Sequence, residues 1–182
     1  MKPMRRWLLA PVLALPLLAT GAAAPDPAQT LAGRYYKQSQ LRIVGFESKP
    51  YTGEDIVEIV PVAPRAAYVR VHLDYDNGHM CAITGVARAE GDALVYRDPR
   101  PAFLKYGRCV LTIRRAGKSL SIDDGELTSC SPENCGVRGT LSGVTLPYAS
   151  KRAIRYLPRL KASSQYRDAL TEWRTGKPVG PR

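Results

Sequence analysis

Histidine is nearly missing from this 182-residue chain, with two in all, and acids are scarce, at 16 against 27 Lys and Arg. Two histidines leave little material for an imidazole-based metal centre or acid–base relay. There are only two Phe and two Trp, and no cysteine precedes Cys81, so no thiol is available for a lipid near the N-terminus. No apolar run reaches the roughly 20 residues a membrane helix needs. What is present excludes other classes: a 45% hydrophobic fraction rules out a wholly disordered or collagenous chain. The charge excess of +11 is uneven. Residues 25–150 hold 15 cations and 14 acids, whereas residues 151–182 hold nine cations and two acids. The body is close to neutral and the basicity sits at the ends, so nucleic acid is not an expected partner.

The first residues have three parts in order. Lys2, Arg5 and Arg6 precede an apolar stretch over residues 7–19 that carries Pro11 and Pro16, and small residues 21–24 follow. This is the pattern of a secretory signal peptide. Pro25 makes a poor first mature residue, so cleavage is expected after Ala23. The organisation read here is a signal peptide over 1–23, a β-domain over 24–150 and a basic tail over 151–182, with no transmembrane segment after cleavage. A composition rich in Ala, Arg and Pro points to a bacterial periplasm.

The four cysteines, Cys81, Cys109, Cys130 and Cys135, then meet an oxidising compartment. Three pairings are open. Cys81–Cys109 with Cys130–Cys135 is favoured, because each joins neighbours in the strand order read below. The Cys130 to Cys135 spacing is not that of a zinc site, and no metal is expected.

From residue 31 to 146 the pattern is short strands and tight turns. Residues 67–74 alternate, with Val69, Val71 and Leu73 on one side and Tyr68, Arg70, His72 and Asp74 on the other. Asn77-Gly78 suits the positive φ of a hairpin turn, and strands over 80–89, 93–98, 109–115 and 119–123 follow. Earlier strands are read at 33–37, 42–46 and 55–62. Gly136, Gly139 and Gly143 are expected to bend the last strands. About eight strands at hairpin spacing predict an all-β fold, a small antiparallel up-and-down barrel; a sandwich is the alternative. In the tail, residues 148–157 read as extended. Residues 164–174 read as a short amphipathic C-terminal helix with Ser164 as N-cap, its stripe of Tyr166, Leu170 and Trp173 docking on the barrel wall or one end.

The chain is poor in catalytic patterns. His72 stands mid-strand among polar neighbours, and His79 follows the Asn-Gly turn beside Asp76. Asp74-Tyr75-Asp76-Asn77-Gly78 lacks the ligand spacing of a calcium loop. No nucleophile elbow, phosphate loop or His-Glu-x-x-His occurs. The reading is non-catalytic, without cofactor. The tail mixes Arg155, Arg159, Arg167 and Arg174 with Tyr156, Tyr166 and Trp173, a composition suited to an anionic lipid, wall polymer or acidic protein surface.

One pattern spans residues 77–139: Asn77-Gly78-His79 with Cys81, Gly85-Val86-Ala87, Gly91 through Tyr96, Cys109 through Ile113, and Cys130 with Cys135-Gly136-Val137-Arg138-Gly139. It resembles uncharacterised proteobacterial periplasmic domains, similar to the small barrels of periplasmic lysozyme inhibitors. The resemblance implies a non-catalytic barrel acting on a lytic enzyme as inhibitor or immunity protein. The loops that would insert into such an enzyme are residues 49–53 and 141–148, the latter carrying Ser142, Gly143 and Tyr148. The alternative is a ligand-binding or envelope-associated barrel that engages anionic partners through Arg155, Arg159, Arg167 and Trp173.

Overall fold

A computed structural model describes residues 25–45, 49–102, 106–125, 129–136 and 138–180; the signal peptide expected over 1–23 lies outside them. After a single helical turn, α1 (Pro27–Thr30), eight strands follow: β1 (Gly33–Ile43), β2 (Lys49–Ala63), β3 (Ala66–Asp74), β4 (Met80–Glu90), β5 (Ala93–Arg97), β6 (Val110–Ala116), β7 (Ser119–Asp123) and β8 (Val144–Pro147). They form one antiparallel sheet in the order of the chain, β1 through β8, the meander that consecutive hairpins dictate. The sheet rolls into a nearly closed barrel. Odd-numbered residues of the second to fourth strands face inward, so Val57, Ile59, Val69, Val71, Leu73 and Ile83 join Tyr35, Leu94, Leu111, Ile113, Leu120 and Ile122 in a solid core.

Closure uses the chain beyond the last strand. No ladder joins β8 to β1; instead the Arg34 and Arg152 backbones exchange hydrogen bonds of 2.8 and 2.9 Å, and Ser150 Oγ accepts from the Tyr36 N–H at 3.1 Å. Residues 148–157 are thus not the extended stretch expected. Tyr148–Ser150 forms a 3₁₀ turn, and Leu157–Lys161 forms a short helix, α2.

The first strand runs unbroken where two were expected. Its middle, Gln38-Ser39-Gln40, pairs with Thr52 through Glu54 in an arm whose faces are mostly exposed, so no apolar alternation marks it. The tight turn after β3 holds this arm. Asn77 and Gly78 take φ values of 60° and 70°, and the Asp76 and Asn77 side chains accept from the Arg42 and Val44 N–H groups. Phe46, at the end of the second expected strand, lies outside the described residues.

The disulfides are Cys81–Cys135 and Cys109–Cys130, not the pairing of sequence neighbours. The reason is the shortness of β5, which pairs only with Arg88, Ala89 and Glu90 at the far end of β4. Cys81, at the start of β4, is therefore not beside Cys109. Residues 130–136 lie along that start instead, with a Cys81–Cys135 bridge and the Gly136 N–H donating to the Met80 carbonyl at 2.9 Å. One helical turn over Ser131–Asn134 points its flanking cysteines at different strands. Asp124 seats it, its Oδ2 accepting from the Cys130 and Ser131 N–H groups at 3.1 and 3.0 Å. Gly136 and Gly139 accordingly lie in this clamped segment rather than bending strands.

The C-terminal helix, α3 (Ser164–Thr175), starts one residue earlier than expected at its cap. Ser163 is extended and its Oγ accepts from the Tyr166 N–H at 3.2 Å, so Ser163 rather than Ser164 is the N-cap. Gly176, at φ +65°, closes the other end. Helices α2 and α3 lie on the outer wall, where Leu160, Tyr166 and Ala169 bury against Val60 and Tyr68. The Tyr68 and Tyr166 rings pack at 4.8 Å.

Candidate functional site: an arginine face on the outer wall

The outer faces of the first three strands carry a row of alternating charge. Register places Arg34 opposite Glu58 and Glu58 opposite Arg70. Cross-strand neighbours of opposite sign attract, and here the tail turns the row into a buried network. Tyr156 lies over Glu58 and its hydroxyl donates to Oε1, leaving Glu58 with no exposed surface. Arg70 Nη2 stands 2.5 Å from Glu58 Oε2 and Arg34 Nε 3.8 Å from Oε1. A buried carboxylate needs such partners to remain charged. Burial, then the hydrogen bond to Glu58, raises the Tyr156 pKa above the ordinary phenol value, which keeps the hydroxyl a donor.

Two clefts flank Tyr156. The first, about 260 Å³, is lined by Arg34, Arg152, Ala153, Arg155 and Tyr156. The second, about 340 Å³, is lined by Arg70, Tyr156, Arg159, Leu160 and Ser163. Five arginines thus surround one tyrosine, against the carboxylates of Glu58 and of Glu54, which sits 3.3 Å from Arg34 Nη2. Arg152 stacks on the Tyr36 ring at 3.8 Å and Arg159 on Tyr156 at 5.4 Å. Neither Arg152 nor Arg155 has a carboxylate partner among the described residues. Stacking occupies the face of a guanidinium and leaves its in-plane N–H donors for an oxyanion.

Of the residues singled out in the sequence, Arg155, Tyr156 and Arg159 belong to this face. The others lie apart. Arg167, exposed on α3, donates to the Ala162 carbonyl. Trp173 lines a groove of about 200 Å³ with Val86, Val95 and Ala169, and the Arg88 guanidinium lies 5.6 Å from its ring. Ser142 and Gly143 form the turn before β8, with the Gly143 N–H on Asp123 Oδ2 at 3.3 Å. Tyr148 is half-buried between Tyr35 and the Arg115 guanidinium. The two segments expected to insert as loops are largely strand: residues 49–53 open β2, and residues 141–148 begin with the buried Leu141 and run through β8. Arg34, Glu58, Arg70 and Arg152 were not singled out. Their one signal is the strand parity that puts the first three on outer faces.

The histidines do not form a relay. His72 Nε2 lies 3.1 Å from Asp74 Oδ1 on the outer wall, and Asp76 is engaged by the Arg42 N–H rather than by His79. Among the described residues no group of three or more His, Cys, Asp or Glu side chains could hold a metal ion, and no helix is long and apolar enough to cross a membrane.

Fold and site together define a disulfide-clamped, up-and-down barrel whose C-terminal arm lays arginines on its own outer wall. No protein-family model, curated protein or solved structure matches the chain.

Proposed function

We propose that the protein is a non-catalytic periplasmic barrel that attaches to a phosphate-bearing anionic surface of the cell envelope. One observation carries the reading: arginines from β1, β3 and residues 152–159 converge on Tyr156, and three of them, Arg152, Arg155 and Arg159, have no carboxylate partner among the described residues. A face with five arginines against two carboxylates is net positive, and such a face steers and holds an anionic partner with strong salt dependence. The cluster of buried apolar side chains inside the barrel supports a surface function over an internal ligand site. Two disulfides agree with an oxidising compartment.

Sedimentation of residues 24–182 with vesicles tests this. Phosphatidylglycerol vesicles are expected to bind and phosphatidylcholine vesicles not, with retention lost in about 0.5 M salt. The triple variant Arg152→Glu, Arg155→Glu, Arg159→Glu should weaken retention at least about tenfold. Equal retention on both vesicles, or indifference to the triple variant, overturns the reading. Stoichiometric protection of a bacterial suspension from a muramidase, unaffected by the triple variant, would favour the lytic-enzyme partner implied by the resemblance.

A further inference from the structure

The two clefts beside Tyr156 are not equivalent. In the second, Arg70 is paired with Glu58, which leaves one guanidinium, that of Arg159 over the Tyr156 ring, without a carboxylate partner among the described residues, and Leu160 supplies an apolar wall. In the first, two guanidinium groups, those of Arg152 and Arg155, have no carboxylate partner among the described residues, and the buried Arg34 Nε–H, 3.8 Å from Glu58 Oε1, makes no hydrogen bond. A buried donor short of a hydrogen bond, lining one cleft with two guanidinium groups free of carboxylates, suits a ligand that brings acceptors.

We propose that this cleft is a discrete oxyanion pocket that takes one phosphate group, with Arg152 and Arg155 as its donors and Arg34 at its floor. The proposal deepens the envelope reading and rests on it for the source of the phosphate. Three features point to phosphate chemistry. Planar guanidinium forks match adjacent phosphate oxygens in pairs. Arg152 is already fixed, its backbone bonded to Arg34 and its guanidinium stacked on Tyr36, so little side-chain freedom is lost on binding. The cleft is open, which lets the ester substituent of a phosphomonoester or phosphodiester project outward. Glu54 lies beside Arg34, 3.3 Å from its Nη2, and sets the polarity of one wall: the anion is expected on the Arg152 and Arg155 side. A phospholipid headgroup and a soluble phosphate ester share this chemistry.

Calorimetric titration of residues 24–182 with inorganic phosphate and with glycerol 3-phosphate, beside phosphatidylglycerol vesicle sedimentation, separates the sources. Saturable binding of glycerol 3-phosphate is expected, at least about tenfold weaker in Arg152→Gln and in Arg155→Gln. It should be within about twofold of the parent in Arg167→Gln, a cation outside the cleft. Arg155 is exposed and its side chain supports no other described residue, so Arg155→Gln should melt like the parent and report binding alone. No saturable binding of either phosphate compound, or binding indifferent to both cleft variants, overturns the pocket. If glycerol 3-phosphate binds and is lost in the variants while vesicles do not bind, the pocket stands and the envelope-surface reading falls. If vesicles bind with salt sensitivity but ignore the cleft variants, the envelope reading stands and the pocket falls.

Discussion

Tyr96 lies over Gly85 so closely that a Cβ at Gly85 would stand 2.0 Å from its Cε2. Gly85 occupies an inward position of β4, between Ile83 and Ala87, and the Tyr96 ring fills the space its missing side chain leaves. Gly85→Ala must displace a buried ring in a packed interior. We expect a loss of about 3 kcal/mol, read from urea unfolding. A loss under about 0.5 kcal/mol would mean that the ring moves freely.

Peptide mapping without reduction should yield Cys81 linked to Cys135 and Cys109 linked to Cys130. The sequence separations are 54 and 21, so each bond restrains the unfolded chain substantially. Replacing either pair by serine should cost about 3–4 kcal/mol. Fragments joining Cys81 to Cys109 would restore the neighbour pairing.

Tyr166 anchors the last helix on the barrel. Tyr166→Ala removes its ring from Tyr68 and Val60 and is expected to cost about 3 kcal/mol in thermal or chemical unfolding. Deleting residues 151–182 should do more than remove charge, because Arg152 also closes the seam beside β1. The truncated chain is therefore expected to aggregate, and charge reversal is the cleaner probe of binding.

Asp55, on β2, has its pKa raised chiefly by burial; the charge of Asp74 adds to this, while the Asp74 N–H and Lys37 oppose it. A carboxyl raised in the folded state favours folding below its unfolded pKa, about 3.9. That contribution is lost as pH climbs through the folded value. Asp55→Asn retains an acceptor for the Asp74 N–H and removes the titration. Its melting temperature relative to the parent should rise as pH climbs past the unfolded value and level off above the raised folded value. A difference that is flat with pH would show that Asp55 titrates alike in both states.

Much of the barrel is legible in the chain because alternation and turns are local. Residues 67–74 show their inward valines and leucine directly, and Asn77-Gly78 marks its own turn. The Gln38-Ser39-Gln40 stretch hides its strand, since an arm whose faces are mostly exposed shows no apolar period. The disulfides depart from the neighbour pairing for a tertiary reason: β5 is too short to cover β4, and a distant segment takes its place. The site was half visible. Arg155 and Arg159 lie in an obviously basic tail, whereas Arg34, Glu58 and Arg70 meet only through the register of three strands. No local signal announces that Tyr156 will cover the middle of that row.

The seam at Arg34 and Arg152 has a thermodynamic corollary. The residue that completes the wall through its backbone also carries, over Tyr36, the guanidinium that would take the proposed anion. A ligand held there ties the last part of the chain to the first strand, and it has no equivalent site in the unfolded polypeptide. At a hundredfold excess over its dissociation constant it would add about 2.7 kcal/mol to the stability of the whole barrel. Occupancy of the outer wall can therefore be followed as a shift in the melting of the core, and soluble phosphate esters can be ranked by heat alone.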